Sequence, residues 1–105
     1  MNTTTATNTL QAVANDIVAY VSSGGQPWSR WYVGIASDPR RRLLVDHNVL
    51  EQGGLWIYRD AWTEEGARTV EKFFHETYGA QGDTGGGDSS TRFVYAYLVT
   101  NTTKE

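Results

Sequence analysis

The chain has 105 residues, which is the size of one small domain. It contains no cysteine, which excludes disulfide bonds and thiolate metal sites. Its formal net charge of -3 argues against a polyanionic partner, and its longest apolar run, residues 17–21, is far shorter than the ~18 to 20 residues that a membrane span requires. The first residues lack the basic start and apolar stretch of a signal peptide, so we expect a cytoplasmic protein with no membrane partner.

The first predicted element is a helix over residues 10–22. Its apolar residues recur at helical spacing, Thr9 is placed to cap its start, and the glycine pair at 24–25 ends the pattern. An alternative interpretation makes residues 17–21 a strand that turns into the next one.

Strands then alternate with helices along the chain. Asp38 fits a helix N-cap and Pro39 the first helical position, while Thr63 precedes two glutamates in the first turn of a longer helix. This pattern predicts an α+β (α/β sandwich) fold. The predicted elements are a strand at 31–35, a short helix from Asp38 to about residue 48, a strand at 55–58, a helix from Thr63 to Gly79, a Gly/Asp/Ser loop at 79–90 and a strand at 92–100.

Both ends of the chain are polar. Residues 1–8 are rich in threonine and asparagine, and residues 101–105 are also polar. We expect both segments to be disordered, which leaves residues 9–100 as a single domain.

The charge is unevenly distributed. Residues 30–42 carry four arginines and one acid, a local charge of +3, while the remainder of the chain sums to -6. The arginine run at 40–42 is therefore a candidate contact for a phosphate. The alternative is that it forms the solvated start of a helix.

Glu71 is the most informative single position. The apolar residues of its helix form one stripe, and Glu71 lies at the edge of that buried face. A carboxylate there must reach a partner, a metal ion or water, because burying it alone is costly. Two alternatives place Glu71 in solvent or in an ion pair with Arg68, and a third pairs it with His75 on a metal ion.

A resemblance to a known family links these features. The order Tyr-Val-Gly at 32–34, Arg42, a nearby His47, a second strand and a helix with a lone Glu71 resembles the GIY-YIG nuclease family. The tripeptide resembles the second motif of that family, and Arg42 and Glu71 resemble its essential arginine and its metal-binding glutamate. The match covers about residues 31–78, and it implies a small three-stranded antiparallel sheet flanked by helices.

The resemblance implies a metal-dependent endonuclease that hydrolyses DNA phosphodiester bonds. A Mg²⁺ (or Mn²⁺) cofactor would be held chiefly by Glu71 and by waters. Tyr32 would activate the water, His47 would shuttle the proton, and Arg42 would stabilise negative charge on the phosphate. Arg40 and Arg41 would contact DNA.

The sequence departs from the family pattern in its first motif. Gly-Ile-Tyr is absent as written, and two segments are candidates for its place. One is 18–20, with Tyr20, which lies within the predicted first helix; the other is 94–96 on the closing strand, with Tyr95. The second candidate implies a rearranged first strand.

Three further departures concern single side chains. His47 lies one residue beyond the usual position, which is occupied by Asp46. Arg40 and His47 are seven residues apart and would share a helical face, so Arg40 is the substitute for Arg42. The late asparagine of many family members has no counterpart at 79–90.

Two other function classes fit the sequence. One is a catalytically reduced member of the same fold that binds a nucleic acid, a nucleotide or a protein, for example as a phage or bacterial accessory factor. The other is an unrelated α+β interaction domain. For the nuclease we expect weak, local DNA binding, with specificity from a protein partner or a homodimer, because no second domain fits in this chain.

Overall fold

Helices and strands alternate in the computed structural model, which describes residues 10–82 and 90–105. Residues 1–9 and 83–89 lie outside the described residues, and with them the predicted N-terminal disorder and most of the predicted Gly/Asp/Ser loop. Two helices run directly into π-helical segments, which we call the first and second π segment. The elements are α1 (Leu10–Ser23), β1 (Trp31–Ala36), α2 (Pro39–Arg41) with the first π segment (Arg42–Asp46), β2 (Trp56–Asp60), α3 (Glu64–Phe73) with the second π segment (Phe74–Tyr78), and β3 (Phe93–Leu98).

Helix α1 confirms the helical interpretation of the first apolar segment and excludes the strand alternative. Val13, Ala14, Ile17 and Val21 are its buried residues, and they recur at the three- and four-residue spacing that places them on one face. This face packs into the larger of two apolar clusters, between the helices and the sheet. No helix in the described ranges is long and apolar enough to cross a membrane.

Two of the three predicted helix caps are found, and the third, Thr9, lies outside the described residues. The Asp38 carboxylate accepts a hydrogen bond of 3.2 Å from the Arg41 amide, with Pro39 in the first turn. The Thr63 hydroxyl accepts one of 2.9 Å from the Gly66 amide. Gly79, with a φ of 76°, adopts the left-handed conformation that ends the second π segment.

The three strands form one antiparallel sheet in the order β1-β3-β2. The closing strand β3 is therefore the central strand, with Tyr97 opposite Tyr32 and Tyr95 opposite Gly34. On its other side, β2 pairs in the register that places Trp56 opposite Tyr97. This arrangement confirms the α+β fold with a small antiparallel sheet.

The two faces of the sheet carry different side chains. One face contributes Val33, Val94 and Ala96 to the core beneath the helices. The other carries the row of tyrosines, packed under α2 and the first π segment with Leu43 and Val49. We call it the tyrosine face; it holds the candidate site.

The C-terminal residues, for which the sequence predicts disorder, are hydrogen-bonded to the body of the domain. The Lys104 amide donates to the His47 carbonyl at 2.7 Å. The Asn48 side-chain amide donates to the Thr102 carbonyl at 2.9 Å. This segment therefore lies directly against His47.

Candidate active site

The Tyr95 hydroxyl is the point at which the predicted site residues meet. Tyr95 lies on the central strand and is 1% exposed. Its hydroxyl is 2.7 Å from His47 Nε2, and the Arg42 guanidinium is close enough for its charge to act on the hydroxyl. Tyr32 and Glu71 are close enough for their charges to act on the same hydroxyl. Helix α3, the first π segment and two strands thus bring four predicted residues together around Tyr95.

Gly34 provides the space for this arrangement. A Cβ atom built on Gly34 would lie 2.5 Å from the Tyr95 hydroxyl oxygen and 2.7 Å from Cζ of the ring. Both distances are well inside van der Waals contact. The glycine of the Tyr-Val-Gly motif is thus required because the Tyr95 ring lies against the backbone of the neighbouring strand.

The hydrogen bonds of His47 define its tautomer. Nδ1 lies 2.6 Å from the Lys104 carbonyl oxygen, which can only accept, so Nδ1 carries the proton. Nε2 is then the acceptor, and the Tyr95 hydroxyl donates to it. The Tyr97 hydroxyl also donates to the Lys104 carbonyl at 3.2 Å. The backbone of Lys104 therefore orients the imidazole ring.

Burial changes the pKa of both groups in this hydrogen bond. Desolvation lowers the pKa of His47 below its ordinary 6.5. The hydrogen bond to Lys104 raises the pKa, but its effect is smaller than that of desolvation. Burial also raises the pKa of Tyr95 well above its ordinary value, and the nearby Tyr32 adds to this effect, while the Arg42 charge opposes it. At neutral pH, Tyr95 is therefore a protonated donor and His47 a neutral acceptor.

The first π segment explains why His47, and not Asp46, reaches the site. The His47 amide donates to the Arg42 carbonyl, five residues back, at 2.9 Å. This turn contains one residue more than an α-helical turn, so it moves the histidine one position along the chain. The exposed Asp46 instead lies 3.7 Å from Nε of Arg42.

The two candidate arginines have different surroundings in the structure. The extra residue of the first π segment brings Arg42 near the Tyr95 hydroxyl, which His47 also contacts. The α-helical spacing predicts instead that Arg40 shares a face with His47. Arg40, the predicted substitute, instead pairs with Glu51 and lies over the Trp56 ring, 5.7 Å from its centroid. Arg41 is exposed, and its amide is the donor to the Asp38 cap.

Glu71 is buried, with 5% of its surface exposed. Its negative charge is one of the influences that raise the pKa of Tyr95. Arg68, the alternative partner, forms a salt bridge with Glu64 at 2.9 Å; both Arg68 and Glu71 make a further interaction, so their pairing stays a prediction. His75 donates from Nε2 to the Val33 carbonyl at 2.9 Å, so this nitrogen holds the second π segment to β1 and is not available to a metal ion.

The two other tyrosines have different positions. The Tyr32 ring stacks on Tyr97, with centroids 5.1 Å apart, and lies 4.7 Å from the His47 ring. Tyr32 thus packs against the histidine as one wall of the site. Tyr20 lies on α1, where its hydroxyl accepts a hydrogen bond from the Trp56 amide at 3.0 Å. Of the two candidates for the first-motif tyrosine, Tyr95 is the one that contacts His47.

In the part of the chain that the structure describes, Glu71 is the carboxylate whose charge acts on the Tyr95 hydroxyl. Within residues 10–82 and 90–105, no group of three or more His, Cys, Asp and Glu side chains is placed to hold a metal ion. A single buried carboxylate fits a cation that keeps most of its water ligands, as Mg²⁺ does.

Several residues of the site were not predicted from the sequence as site residues. The sequence pattern marks Gly34 only as part of the Tyr-Val-Gly motif, and it does not mark Tyr97 or Lys104 as site residues. Successive side chains of a strand point to opposite faces of the sheet, so the predicted closing strand places Tyr95 and Tyr97 on the same face. This spacing is the sequence signal that could have identified Tyr97. Nothing in the sequence pattern indicates the hydrogen bonds of Lys104. No family model, curated protein or solved structure matches this chain.

Proposed function

We propose that this chain is a divergent GIY-YIG-like endonuclease that hydrolyses DNA phosphodiester bonds with Mg²⁺ (or Mn²⁺). One observation carries the proposal: the Tyr95 hydroxyl hydrogen-bonds to His47, and the charges of Arg42 and of the buried Glu71 act on the same hydroxyl. These residue types are the ones that phosphodiester hydrolysis needs, namely a proton acceptor, a cation for the phosphate and a metal-binding carboxylate.

The strand order supports the family assignment. In the proposed rearrangement, the closing strand β3 takes the place of the first-motif strand. Its central position, directly beside the Tyr-Val-Gly strand β1, is compatible with this exchange. Tyr95 would then be the first-motif tyrosine, and the order of the elements along the chain would differ from that of the family.

The hydrogen bond from Tyr95 to His47 defines a proton path. A water molecule next to Tyr95 would pass its proton to the phenol oxygen while the phenol proton moves to His47 Nε2. The Lys104 carbonyl, bonded to Nδ1, would stabilise the resulting imidazolium. In this proposal Tyr95, not Tyr32, contacts the water, and Tyr32 fixes the ring of His47.

Arg42 and Glu71 would act on the phosphate. The Arg42 side chain is 48% exposed, so it can pair with a phosphate oxygen while it remains near Tyr95. Glu71 would hold the divalent cation, with waters as the remaining ligands. A cation bound there would stabilise negative charge on the scissile phosphate.

A second candidate function is a phosphate-binding module without hydrolysis. It is favoured by the burial of the reactive groups, because Tyr95, His47 and Glu71 are 1%, 4% and 5% exposed. Only Arg42 among the four is well exposed, so a phosphate could bind to it without reaching the others.

A plasmid nicking assay tests the proposal. Wild type is incubated with supercoiled DNA in Mg²⁺, in Mn²⁺ and in EDTA, beside Glu71→Gln and Tyr95→Phe. We expect metal-dependent nicking by wild type and a loss of about 100-fold or more in Tyr95→Phe, since acid-base catalysis typically contributes ~10²–10⁴-fold. We expect a comparable loss in Glu71→Gln, because this variant lacks the carboxylate proposed to hold the metal ion. Glu76→Gln is the matched control, because Glu76 lies in the adjoining π segment and its side chain is 67% exposed.

Two results would contradict the proposal. Nicking that persists in Glu71→Gln would remove the role of Glu71 as the metal ligand. Absence of nicking by wild type, together with DNA binding that falls in Arg42→Ala and with salt, would instead support the binding module.

A further inference from the structure

The tyrosine face continues from the site onto β2 as a partly exposed row of aromatic rings. Trp56 lies opposite Tyr97 and Tyr58 lies opposite Tyr95, so both point to the same side of the sheet as the site. Their rings are nearly parallel, at 13°, with centroids 6.3 Å apart. Phe93 packs edge-on against Tyr58 at 6.2 Å. We call Trp56, Tyr58 and Phe93 the aromatic strip; each is half-buried.

Arginines lie at both ends of this strip. The Arg40 guanidinium is 5.7 Å from the centroid of the Trp56 ring, and the Arg92 guanidinium is 5.3 Å from that of Phe93. Each arginine is paired with one carboxylate, and their side chains are 50% and 51% exposed. Ion pairs of this exposure typically contribute about 0–1 kcal/mol, so a phosphate can replace the carboxylate readily.

We propose that the aromatic strip binds unpaired nucleotides next to the scissile phosphate, so that the substrate is a single strand of DNA. This inference rests on the proposed function. Aromatic rings flanked by cationic side chains bind single strands because every unpaired base offers a π face, and Arg adds a cation-π contribution. In a duplex those faces are already stacked on neighbouring base pairs.

The position of the strip fits a strand that runs through the site. Side chains directly opposite each other in an antiparallel pair have Cβ atoms about 4.5–5.5 Å apart, so Tyr58 is an immediate neighbour of Tyr95. A base on Tyr58 would therefore place its backbone beside Arg42 and Tyr95. The acidic remainder of the chain, at -6 outside residues 30–42, disfavours a long duplex contact and allows a short one to a flexible strand.

Binding measurements without metal test the proposal. The probes are a fluorescently labelled oligothymidine and a blunt DNA hairpin of equal charge, titrated in EDTA and followed by anisotropy. We expect wild type to bind the oligothymidine more tightly than the hairpin, and Trp56→Leu and Tyr58→Leu to weaken this binding by about 5- to 100-fold. Trp56→Phe, which keeps a ring, should restore most of the affinity even if the leucine variants are less stable.

Trp62→Leu is the matched control, because Trp62 is 44% exposed and lies in the turn before α3, outside the strip. It should bind the oligothymidine like wild type. Equal affinity of wild type for both probes, no binding of the oligothymidine, or unchanged affinity in both leucine variants would each overturn the proposal.

Two outcomes distinguish a failure of the single-strand proposal from a failure of the proposed nuclease function. If wild type nicks DNA while the leucine variants bind normally, only the role of the strip is wrong. If the strip binds the oligothymidine but wild type cuts neither supercoiled plasmid nor single-stranded DNA with Mg²⁺ or Mn²⁺, the nuclease proposal is wrong and the single-strand site stands.

Discussion

Substitution of Gly34 by alanine tests the contact between β1 and Tyr95. The added Cβ would lie 2.5 Å, 2.7 Å and 3.1 Å from three atoms of the Tyr95 side chain, where about 3.5–4.0 Å is normal. The ring is 1% exposed and its hydroxyl bonds to His47, so it has little room to move. Overpacking of this kind typically destabilises a domain by about 1–3 kcal/mol.

The direction of the stability change in Gly34→Ala shows whether the contact with Tyr95 exists. Gly34 does not have the positive φ at which an alanine is strained. Without the contact, Gly34→Ala would therefore stabilise the protein by about 0.4–1 kcal/mol through the unfolded chain. With the contact, we expect the Tm to fall by about 4 to 24 °C, since 1 kcal/mol corresponds to roughly 4–8 °C in a domain of this size.

Thermal and urea unfolding of four proteins measure the effect. Wild type, Gly34→Ala, Tyr95→Leu and the double variant form a double-mutant cycle. Leucine removes the ring, so Gly34→Ala should be near neutral or stabilising in that background, with a coupling of about 1 kcal/mol or more. A neutral or stabilising Gly34→Ala in the wild-type background, or an equal effect in both backgrounds, would refute the reasoning.

Two further predictions concern His47 and the first π segment. Burial lowers the pKa of His47 below 6.5, so the unfolded chain binds more protons near pH 6 than the folded protein does. The free energy of unfolding should therefore fall as the pH is lowered from 7 through 6.5 towards the folded-state pKa. Urea unfolding at each pH should show this slope in wild type and a flatter one in His47→Gln; equal slopes would contradict the assignment. Deletion of Val45, which is 65% exposed, should turn the π segment into an α turn and separate Arg42 from His47. Nicking should then fall by about 10-fold or more, whereas Val45→Ala should cut like wild type; equal rates for all three proteins would show that the extra residue has no role.

The sequence by itself determined the local elements. The spacing of apolar residues predicts α1, and Asp38 with Pro39 and Thr63 with its two glutamates mark the starts of the next two helices; all are found as expected. These features depend on neighbours within one or two turns, so a pattern in the chain is enough to locate them. The same reasoning placed Glu71 at the edge of a buried face, where it is found.

Only the tertiary structure decided which residues share a site. The central position of β3, which sets Tyr95 beside Gly34, depends on pairing between segments about 60 residues apart. The hydrogen bond of His47 with Tyr95 joins residues 48 apart in the chain, and the tautomer of His47 depends on the backbone of Lys104. The local spacing of apolar residues does not indicate such contacts, because they form only when the whole chain has folded.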